Sequence, residues 1–423
     1  MTTTQPIVFN PIDPAFRANP YPIYERILAE DPVHMTPFGV RAFARHADCL
    51  AILRDPKRFS SDDRKSPFYQ PISASFQIND GPRPGRTHDG EHVPAPTEGV
   101  SDADRPFLFI DPPDHTRLRR LVNHAFSART VEAMRPRVQE IVDGLLDKVE
   151  ANGSMDAISE LSYPLPVAVI CEMLGVPKED QPIFGVWSEE LAKSLDPAIG
   201  QPDEVLQRRV KAVQDSREYF RELAAKRRKN PGGDLISALI AAEEEGDKLS
   251  EGELLSTCTL LLIAGHETTV NLIGNGVLQL LQHPDELAKF RANQDLAPSV
   301  VEEVLRFDPP VQFDGRICIE RAEVAGVTIE PGNFVMTLLG AANRDPSVFP
   351  DPSRFDITRG ASNHIAFGYG IHFCLGAPLA RLEGQIALRS LTQRFPRLHL
   401  ESNELRYKNQ ITIRGLAELR VGW

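Results

Sequence analysis

One cysteine stands between glycines in the stretch FGYGIHFCLG, residues 367–376, of a chain that contains five cysteines. The residues after Cys374 follow a helical pattern, so its sulfur lies beside a predicted helix N-terminus, where backbone N–H groups favour a thiolate. A thiolate held in this way is a nucleophile or a metal ligand. A nucleophile needs a relay, and nothing marks His372, two residues away in a loop, as its base. Metal ligation is therefore the better hypothesis for this sulfur.

A second candidate is AGHETT, residues 264–269, in the middle of an otherwise apolar helical stretch. Ala264 and Thr268 are four residues apart and therefore share a helix face. The Thr268 hydroxyl can bond the helix carbonyl four residues earlier, which is a purely structural role. Beside Glu267 in a buried helix, the same hydroxyl can hold water and pass protons. The zinc pattern H-E-x-x-H is not met, because Val270 stands at the second histidine position.

The elements that position these residues are mostly helical. Apolar residues recur at helical spacing in Ile23–Ala29, Thr116–Val122, Val131–Val149, Leu206–Lys226, Leu235–Glu244, Leu254–Leu281, Leu287–Asn293, Val300–Phe307 and Leu379–Phe395. Strand-like alternation is confined to residues 316–339 and to NQITIRGLAELRV near the C-terminus, with turns at Ala325–Gly326 and Pro331–Gly332. The sequence therefore predicts a mainly α fold with small antiparallel β-sheets.

Residues 66–106 interrupt this pattern. They are rich in proline, glycine and charge, and they show no periodicity. Such a segment is either a long surface loop, partly disordered, or a lid over an active site. The sequence leaves both interpretations open.

Composition excludes several classes of protein. Lysine and arginine against aspartate and glutamate give 47 − 59 = −12, with no long basic run, which argues against nucleic acid or an anionic membrane surface as the main partner. The first residues lack the basic and apolar regions of an export signal. The longest apolar run, within residues 257–264, is too short to span a bilayer. The cysteines are scattered and form no C-x-x-C pair. We therefore expect a cytoplasmic protein without a membrane anchor.

Five motifs now occur together and in order: DPPDHTRLRRLV (111–122), AGHETT, EEVLR (302–306), NRDPSVFPDPSRFD (343–356) and FGYGIHFCLG. This set resembles the cytochrome P450 superfamily, and in particular its soluble bacterial branch, from about Pro20 to the C-terminus. The cysteine motif is highly specific, whereas the Glu-x-x-Arg spacing of Glu303 and Arg306 says little by itself. The resemblance implies the cytochrome P450 fold in a single domain over residues 1–423, with haem b (iron protoporphyrin IX) as cofactor.

The resemblance also implies roles for individual residues. Cys374 is the expected axial thiolate of the haem iron, which favours O–O cleavage. Asp314 resembles a residue that shapes the propionate pocket, with a plain surface charge as the competing interpretation. Glu303, Arg306 and Arg354 resemble a buried ion-pair cluster with a structural role. The expected cofactor-binding residues are His115, Arg119, Arg316, His372, Phe367, Gly368 and Ala264.

The activity implied is that of a monooxygenase, which activates O2 with two electrons and inserts one oxygen atom, typically as a hydroxyl, into a small, largely apolar molecule. Glu267 and Thr268 resemble the acid–alcohol pair that delivers protons for O–O cleavage. The alternatives are a peroxide-driven oxygenase, which this pair disfavours, and a haem-thiolate sensor or ligand carrier without turnover. The expected substrate pocket takes in the 66–106 and 186–199 regions and includes Leu260, Leu261, Val311, Phe313 and Ile411.

Electrons are expected to come from another protein, because the sequence has no G-x-G-x-x-G after a strand and no iron–sulfur cysteine set. The resemblance implies a ferredoxin or flavodoxin with its NAD(P)H reductase. Arg359, Arg381 and Arg389 could meet an acidic partner near the Cys374 loop. Each of them could equally be a solvated arginine.

Overall fold

The computed structural model describes residues 6–66, 105–196, 203–244, 247–360 and 363–423. Apart from its ends, the predicted loop over residues 66–106 lies outside the described residues, so its two interpretations remain predictions. Within the described ranges, no helix has both the length and the apolar character needed to cross a membrane.

Helices form the body of the molecule, as predicted. They are α1 (Pro14–Ala18), α2 (Tyr21–Glu30), α3 (His46–Leu53), α4 (Asp114–Ala125), α5 (Ala128–Ala133), α6 (Arg135–Val149), α7 (Pro164–Leu174), α8 (Gln181–Ala192), α9 (Asp203–Lys229), α10 (Leu235–Ala241), α11 (Glu251–Gln282), α12 (Pro284–Ala292), α13 (Ala297–Phe307), α14 (Leu339–Ala342) and α15 (Ala377–Arg394). Every predicted helical stretch falls on these helices to within a few residues, except that Val131–Val149 is divided between α5 and α6. The division comes just before Pro136, which is suited to the first turn of a helix and not to its interior.

Helix α11 is the central element. Its first turn is a capping box in which Ser250 accepts from the Glu253 backbone and the Glu253 carboxylate accepts from the Ser250 N–H. It ends just before Pro284, which cannot continue the hydrogen-bond pattern. Helices α7, α8, α9, α13 and α15 pack around it, so nearly all of its residues are buried.

Helices α7 and α8 were not predicted, and neither were the shorter α1, α3 and α14. The sequence of α7, PLPVAVICEML, has Glu172 as its one charged residue, and eight of its eleven residues are buried. A helix with so little polar surface shows only a weak amphipathic period, which is the signal on which the prediction relied.

The strands are short. They are β1 (Val33–Met35), β2 (Arg41–Phe43), β3 (Phe59–Ser60), β4 (Ser154–Asp156), β5 (Glu243–Glu244), β6 (Asp247–Lys248), β7 (Asp314–Cys318), β8 (Ala322–Val324), β9 (Val327–Ile329), β10 (Phe334–Thr337), β11 (His399–Leu400), β12 (Arg406–Tyr407), β13 (Leu416–Glu418) and β14 (Arg420–Gly422). The largest sheet has the order β1-β2-β10-β7-β3. Its pairs are antiparallel except β2–β10, which is parallel, so the expectation of purely antiparallel sheets is corrected at this pair.

The segment between α13 and α15 holds the strands that carry predicted site residues. Ala325 and Gly326, at φ +53° and +74°, form the predicted two-residue turn between β8 and β9. In the larger sheet, Arg316 of β7 lies opposite Val335 of β10. Because β7 is flanked by β10 and β3, the backbone of Arg316 is fixed on both sides.

Candidate active site

The loop that carries Cys374 is folded back on itself. The Cys374 N–H donates to the Phe367 carbonyl at 2.9 Å. Gly368 and Gly370 have φ of +68° and +73°, in the left-handed region that favours glycine. A Cβ on Gly370 would lie 2.3 Å from the carbonyl oxygen of Leu53, so the contact between this loop and the end of α3 requires glycine.

Cys374 as a whole residue is half-buried, and it lies three residues before the start of α15. Burial raises the pKa of its thiol, whereas the N–H groups of Gly376 and Ala377 and the charge of Arg119 lower it. The predicted effect of the helix N-terminus is therefore present, but burial outweighs it. A metal cation at the sulfur would reverse that balance, because coordination deprotonates a thiol.

Four basic side chains converge beside this loop, and we name them the cationic cluster: His115 and Arg119 of α4, Arg316 of β7, and His372. The ring centroids of His115 and His372 are 4.1 Å apart. Arg119 donates to the Phe373 carbonyl of the loop. The guanidinium of Arg316 donates to the Asp314 carboxylate at 2.8 Å. The structure thus brings together four predicted residues from three separate parts of the sequence.

The cationic cluster is electrostatically incomplete. His115 is 1% exposed and neither of its ring nitrogens has a hydrogen-bond partner, and the same holds for Nε2 of His372. Burial and the positive charge of Arg119 lower the pKa of His115 to about 4. Burial and the charge of Arg316 lower the pKa of His372 to about 2. Two carboxylates at this place would supply both the missing acceptors and the missing negative charge.

Helix α11 contributes a surface of small residues. Ala264 is exposed and Gly265 and Thr268 are half-buried, although the helix around them is almost entirely buried. One face of the central helix therefore borders open space. A thiol, an incomplete cationic cluster and a face of small residues together fit a haem with its iron and two propionates.

Thr268 makes the bond that the structural interpretation requires, since its Oγ1 donates to the Ala264 carbonyl at 2.8 Å. The hydroxyl oxygen can still accept a hydrogen bond while its proton is engaged. On the same helix, His266 is a fully buried core residue whose Nδ1 lies 2.7 Å from the Ser188 hydroxyl of α8.

Glu267 is 2% exposed and is paired with a lysine that the sequence did not reveal. Its Oε1 accepts from the Lys408 Nζ at 2.5 Å, whereas its Oε2 is buried and has no partner. The Lys408 backbone N–H donates to the Gly415 carbonyl, which fixes this residue in the hairpin of β12 and β13. The two residues are 141 positions apart, so no local pattern could have connected them.

Glu303 and Arg306 lie in α13 and form a fully buried ion pair. The guanidinium of Arg306 donates to both carboxylate oxygens of Glu303 at 2.7 and 2.8 Å. It also donates to the carbonyls of Asn343, Pro352 and Arg354. Arg306 is 0% exposed, and its positive charge and its donors are satisfied within the chain. This arrangement agrees with the structural role predicted for the pair.

The prediction that Arg354 belongs to this cluster is wrong. Its side chain is 60% exposed and lies 3.9 Å from Asp356, and only its carbonyl reaches Arg306. Arg359 takes its place, with a side chain 15% exposed and Nε 3.4 Å from Glu303. We use the name core cluster for Glu303, Arg306 and Arg359. Because Arg359 is paired with Glu303 and is mostly buried, it is neither the docking arginine nor the solvated arginine considered in the sequence analysis.

A third group of charges supports the Cys374 loop. Arg381 of α15 donates to both oxygens of Glu302 at 2.6 and 3.0 Å, and His364 lies 3.1 Å from the same carboxylate. The Arg381 guanidinium also lies over the Phe367 ring, 4.6 Å from its centroid. We call Glu302, His364 and Arg381 the brace. It was not predicted from the sequence, where Arg381 was treated as a possible docking residue. Arg389, in contrast, is exposed as predicted.

The predicted pocket residues fall into two groups. Leu260 and Leu261 are buried on α11, one turn before Ala264. Phe313 and Ile411 pack in one apolar cluster, and a β-bridge joins Val311 to Ile413.

Comparison with known proteins gives one consistent result. Residues 95–415 match the family model of cytochrome P450. The chain is 42% identical over 418 residues to cytochrome P450 monooxygenase PikC of Streptomyces venezuelae, which covers 96% of this chain and 92% of that protein. It is 41% identical over 428 residues to the vitamin D(3) 25-hydroxylase of Pseudonocardia autotrophica, which covers 100% and 98%.

Solved structures agree with these relatives. P450BioI, in complex with an acyl carrier protein that bears hexadec-9Z-enoic acid, matches with a TM-score of 0.85 and 39% identity, over 97% of this chain and 99% of that chain. The likeness first seen in five short motifs therefore extends along the whole chain.

Proposed function

The chain belongs to the cytochrome P450 family, and from that premise we propose that it hydroxylates a small, largely apolar molecule with electrons from a separate redox protein. It is a haem-dependent monooxygenase, as are its relatives. The observation that carries the proposal is the joint position of the Cys374 loop and the incomplete cationic cluster beside it.

We propose that the cofactor is haem b and that the Cys374 thiolate would hold its iron. His115, Arg119, Arg316 and His372 would bind the propionates, because the two histidines have ring nitrogens that the chain leaves without partners and the two arginines add positive charge beside them. Phe367 and Gly368 belong to the same loop as Cys374, and we propose that Ala264, exposed on α11, contacts the cofactor as well. When bound, haem with a thiolate ligand supplies the O2-activating chemistry.

The chain's own part in the reaction is proton delivery. The Lys408 ammonium holds the buried Glu267 carboxylate at Oε1, which leaves Oε2 without a partner and able to take up a proton. In its resting position Thr268 Oγ1 donates to the Ala264 carbonyl, so it can donate to another group only if it releases that carbonyl. Glu267 and Thr268 follow each other in α11, with Glu267 buried and Thr268 half-buried on the face of small residues, so the proposed proton path leads from the acid to the alcohol through water.

The substrate is proposed to be largely apolar because the side chains assigned to the pocket are Leu260, Leu261, Val311, Phe313 and Ile411. The names of the relatives support the same class, since vitamin D(3) and hexadec-9Z-enoic acid are both mostly hydrocarbon and carry few polar groups. A hydrophobic pocket discriminates by shape, so these residues indicate a class of molecule and not one compound.

The electron donor is proposed to be a ferredoxin or flavodoxin with its NAD(P)H reductase. Tyr369 and Phe373 in the Cys374 loop are 39% and 40% exposed, and the Arg54 guanidinium lies over Tyr369 at 4.4 Å. Exposed aromatic rings with Arg54 beside Tyr369 would suit an acidic partner close to the haem ligand. All five cysteines are free thiols, in keeping with the reducing cytoplasm in which we propose that the protein works.

The function is tested by adding fatty acids, terpenoids, steroids and macrolides to the purified haem-loaded protein and recording the low-spin to high-spin change. A saturable change with one class, followed by an oxygenated product with NADPH, a ferredoxin and its reductase, is expected. Equal turnover with hydrogen peroxide alone would instead favour the peroxide-driven alternative. Absence of product with every competent redox partner would contradict the proposal and favour the sensor.

The role of Thr268 is tested by Thr268→Ala. Ligand binding should be retained while reducing equivalents are diverted from product to hydrogen peroxide. Thr269→Ala is the matched control, because that neighbouring threonine is 3% exposed and buried in the core. If both variants couple electrons to product as the wild type does, the assignment of Thr268 is wrong.

A further inference from the structure

Asp196 follows the short helical turn of residues 193–195 at the end of α8, and it is 5% exposed. Its carboxylate is used at both oxygens, because Oδ2 accepts from the Ile411 N–H at 2.9 Å and Oδ1 from the Thr412 N–H at 2.8 Å. The Thr412 hydroxyl adds a third bond to the Leu195 carbonyl at 3.3 Å. Three hydrogen bonds thus fasten one short turn near the C-terminus to the end of α8.

The other side of this turn is fastened to the segment after α13. The Gln312 N–H donates to the Thr412 carbonyl at 3.0 Å, and the Arg414 N–H donates to the Pro310 carbonyl at 2.7 Å. Ile411 packs in the same apolar cluster as Phe313. The turn is therefore held between two segments that are distant in sequence.

The bonds from Asp196 are the stronger attachment. A carboxylate that accepts two amide N–H groups makes charge-assisted bonds, which exceed neutral ones in strength. Burial raises the pKa of Asp196, and the amides of Thr412 and Ile411 oppose that rise. Arg209 of α9, 2% exposed, also acts on this charge. Burying a carboxylate away from water is unfavourable in free energy unless its oxygens accept hydrogen bonds. Both oxygens of Asp196 accept from backbone N–H groups of the turn.

We propose that Asp196 is a positioning residue that sets substrate selectivity by fixing the turn of residues 411–413 against the end of α8. The inference rests on the proposed function, which places Val311, Phe313 and Ile411 around the substrate. Asp196 does not touch the substrate; it determines where the Ile411 side chain stands. Because one apolar pocket wall shifted by a fraction of an ångström changes which shapes fit, the expected consequence is altered selectivity with unaltered chemistry.

The test compares wild type with Asp196→Asn, which keeps the size of the side chain but replaces one acceptor oxygen with a donor. Dissociation constants for a slim probe, dodecanoic acid, and a bulky probe, testosterone, are measured by the spin-state change. The ratio of the two constants should change about five- to tenfold. Haem content and the spectrum of the reduced carbon monoxide complex should stay as in wild type, and KM should change more than kcat.

Asp180→Asn is the matched control. Asp180 anchors the other end of α8, where its carboxylate accepts from the Tyr219 hydroxyl at 2.6 Å, so the variant should lose stability without a change in the ratio. Thr412→Val removes only the bond to Leu195 and should move the ratio in the same direction by a smaller factor. It keeps the test decisive if Asp196→Asn fails to fold.

The outcomes separate this inference from the proposed function. Unchanged ratios in both Asp196→Asn and Thr412→Val, with a wild type that binds the probes, would overturn the inference alone. An equal change in Asp180→Asn would overturn it too, because the effect would then be a general loosening of α8. A wild type that shows no spin-state change with any apolar compound and no turnover would contradict the proposed function and, with it, this inference.

Discussion

The core cluster and the cationic cluster are both buried groups of charge, and they differ in one respect. In the core cluster, Arg306 gives its donors to Glu303 and to three carbonyls, so the chain completes its own electrostatics. In the cationic cluster, His115 and His372 carry ring nitrogens without partners, and their pKa values are lowered to about 4 and about 2. A complete cluster stabilises the fold, whereas an incomplete one is a binding site for something of opposite charge.

The largest effect is expected in the core cluster. Glu303→Gln leaves the Arg306 guanidinium buried without its counter-charge, which should lower the free energy of unfolding by about 3–5 kcal/mol. Denaturant unfolding of the purified protein measures this loss. Arg354→Gln is the control, because that side chain is 60% exposed, and it should change the free energy of unfolding by less than about 0.5 kcal/mol. A large loss in Arg354→Gln would restore the original prediction and contradict the assignment of Arg359.

The brace of Glu302, His364 and Arg381 resembles the core cluster in that its charges are paired, but it is less buried, because the Glu302 side chain is 24% exposed. Burial alone would raise the pKa of Glu302, but the hydrogen bonds from His364 and Arg381 lower it from 4.5 to about 2. Because the folded-state pKa is depressed, the stability it contributes is complete above the unfolded value of 4.5 and is lost as the pH falls toward 2.

Glu302→Gln should therefore destabilise by about 2 kcal/mol near pH 6, after allowance for the partial exposure of the pair. The difference from wild type should shrink by about half near pH 3, where only the unfolded state binds the proton. Unfolding curves of both proteins at the two pH values measure it. A difference that does not depend on pH would mean that the brace acts by packing on Phe367 and not by charge.

Glu267 is the intermediate case, with one oxygen paired and the other not. Lys408→Met should lower the free energy of unfolding by about 1–2 kcal/mol, because Lys408 is 20% exposed and water replaces part of the lost bond. The fraction of electrons that reaches product should fall as well. Lys408→Arg restores the cation and should recover most of both. Loss of stability with full coupling would show that Lys408 supports the fold and not proton delivery.

The sequence revealed those parts of the site that local spacing determines. The glycines around Cys374 mark a tight loop, and positive φ values occur at Gly368 and Gly370. The apolar period predicts a helix over Leu254–Leu281, and α11 covers Glu251–Gln282. These features depend on neighbours within a few residues, which is the range that a pattern in one sequence can represent.

Contacts between residues that are distant in sequence could not be predicted from local spacing. Arg354 and Arg359 are five residues apart, and which of them turns inward depends on the path of the backbone from Pro350 to Arg359, where Arg359 donates to the carbonyls of Asp351 and Arg354. Lys408 meets Glu267 only because the β12–β13 hairpin packs near α11. Charge composition gives no indication of such pairs, so the wrong and missing assignments both concern arginine and lysine.

The smallest effect on stability is expected in the cationic cluster, and it is the sharpest test of the comparison. His115→Phe replaces a buried imidazole without partners by an apolar ring of similar size, so the free energy of unfolding of the haem-free protein should change by less than about 1 kcal/mol. Haem affinity should nevertheless fall about 10- to 100-fold. The rate of haem transfer to an excess of acceptor protein measures this loss without any assay of activity.

His46→Phe provides the opposite case for the same substitution. His46 is also buried, at 6% exposure, but its Nε2 lies 2.9 Å from the Asn363 carbonyl, so the bond is already made within the chain. Its loss should cost about 1–3 kcal/mol of stability and leave haem affinity unchanged. If the two substitutions instead have equal effects on stability and on haem transfer, then the presence or absence of partners within the chain does not distinguish a structural histidine from a cofactor-binding one.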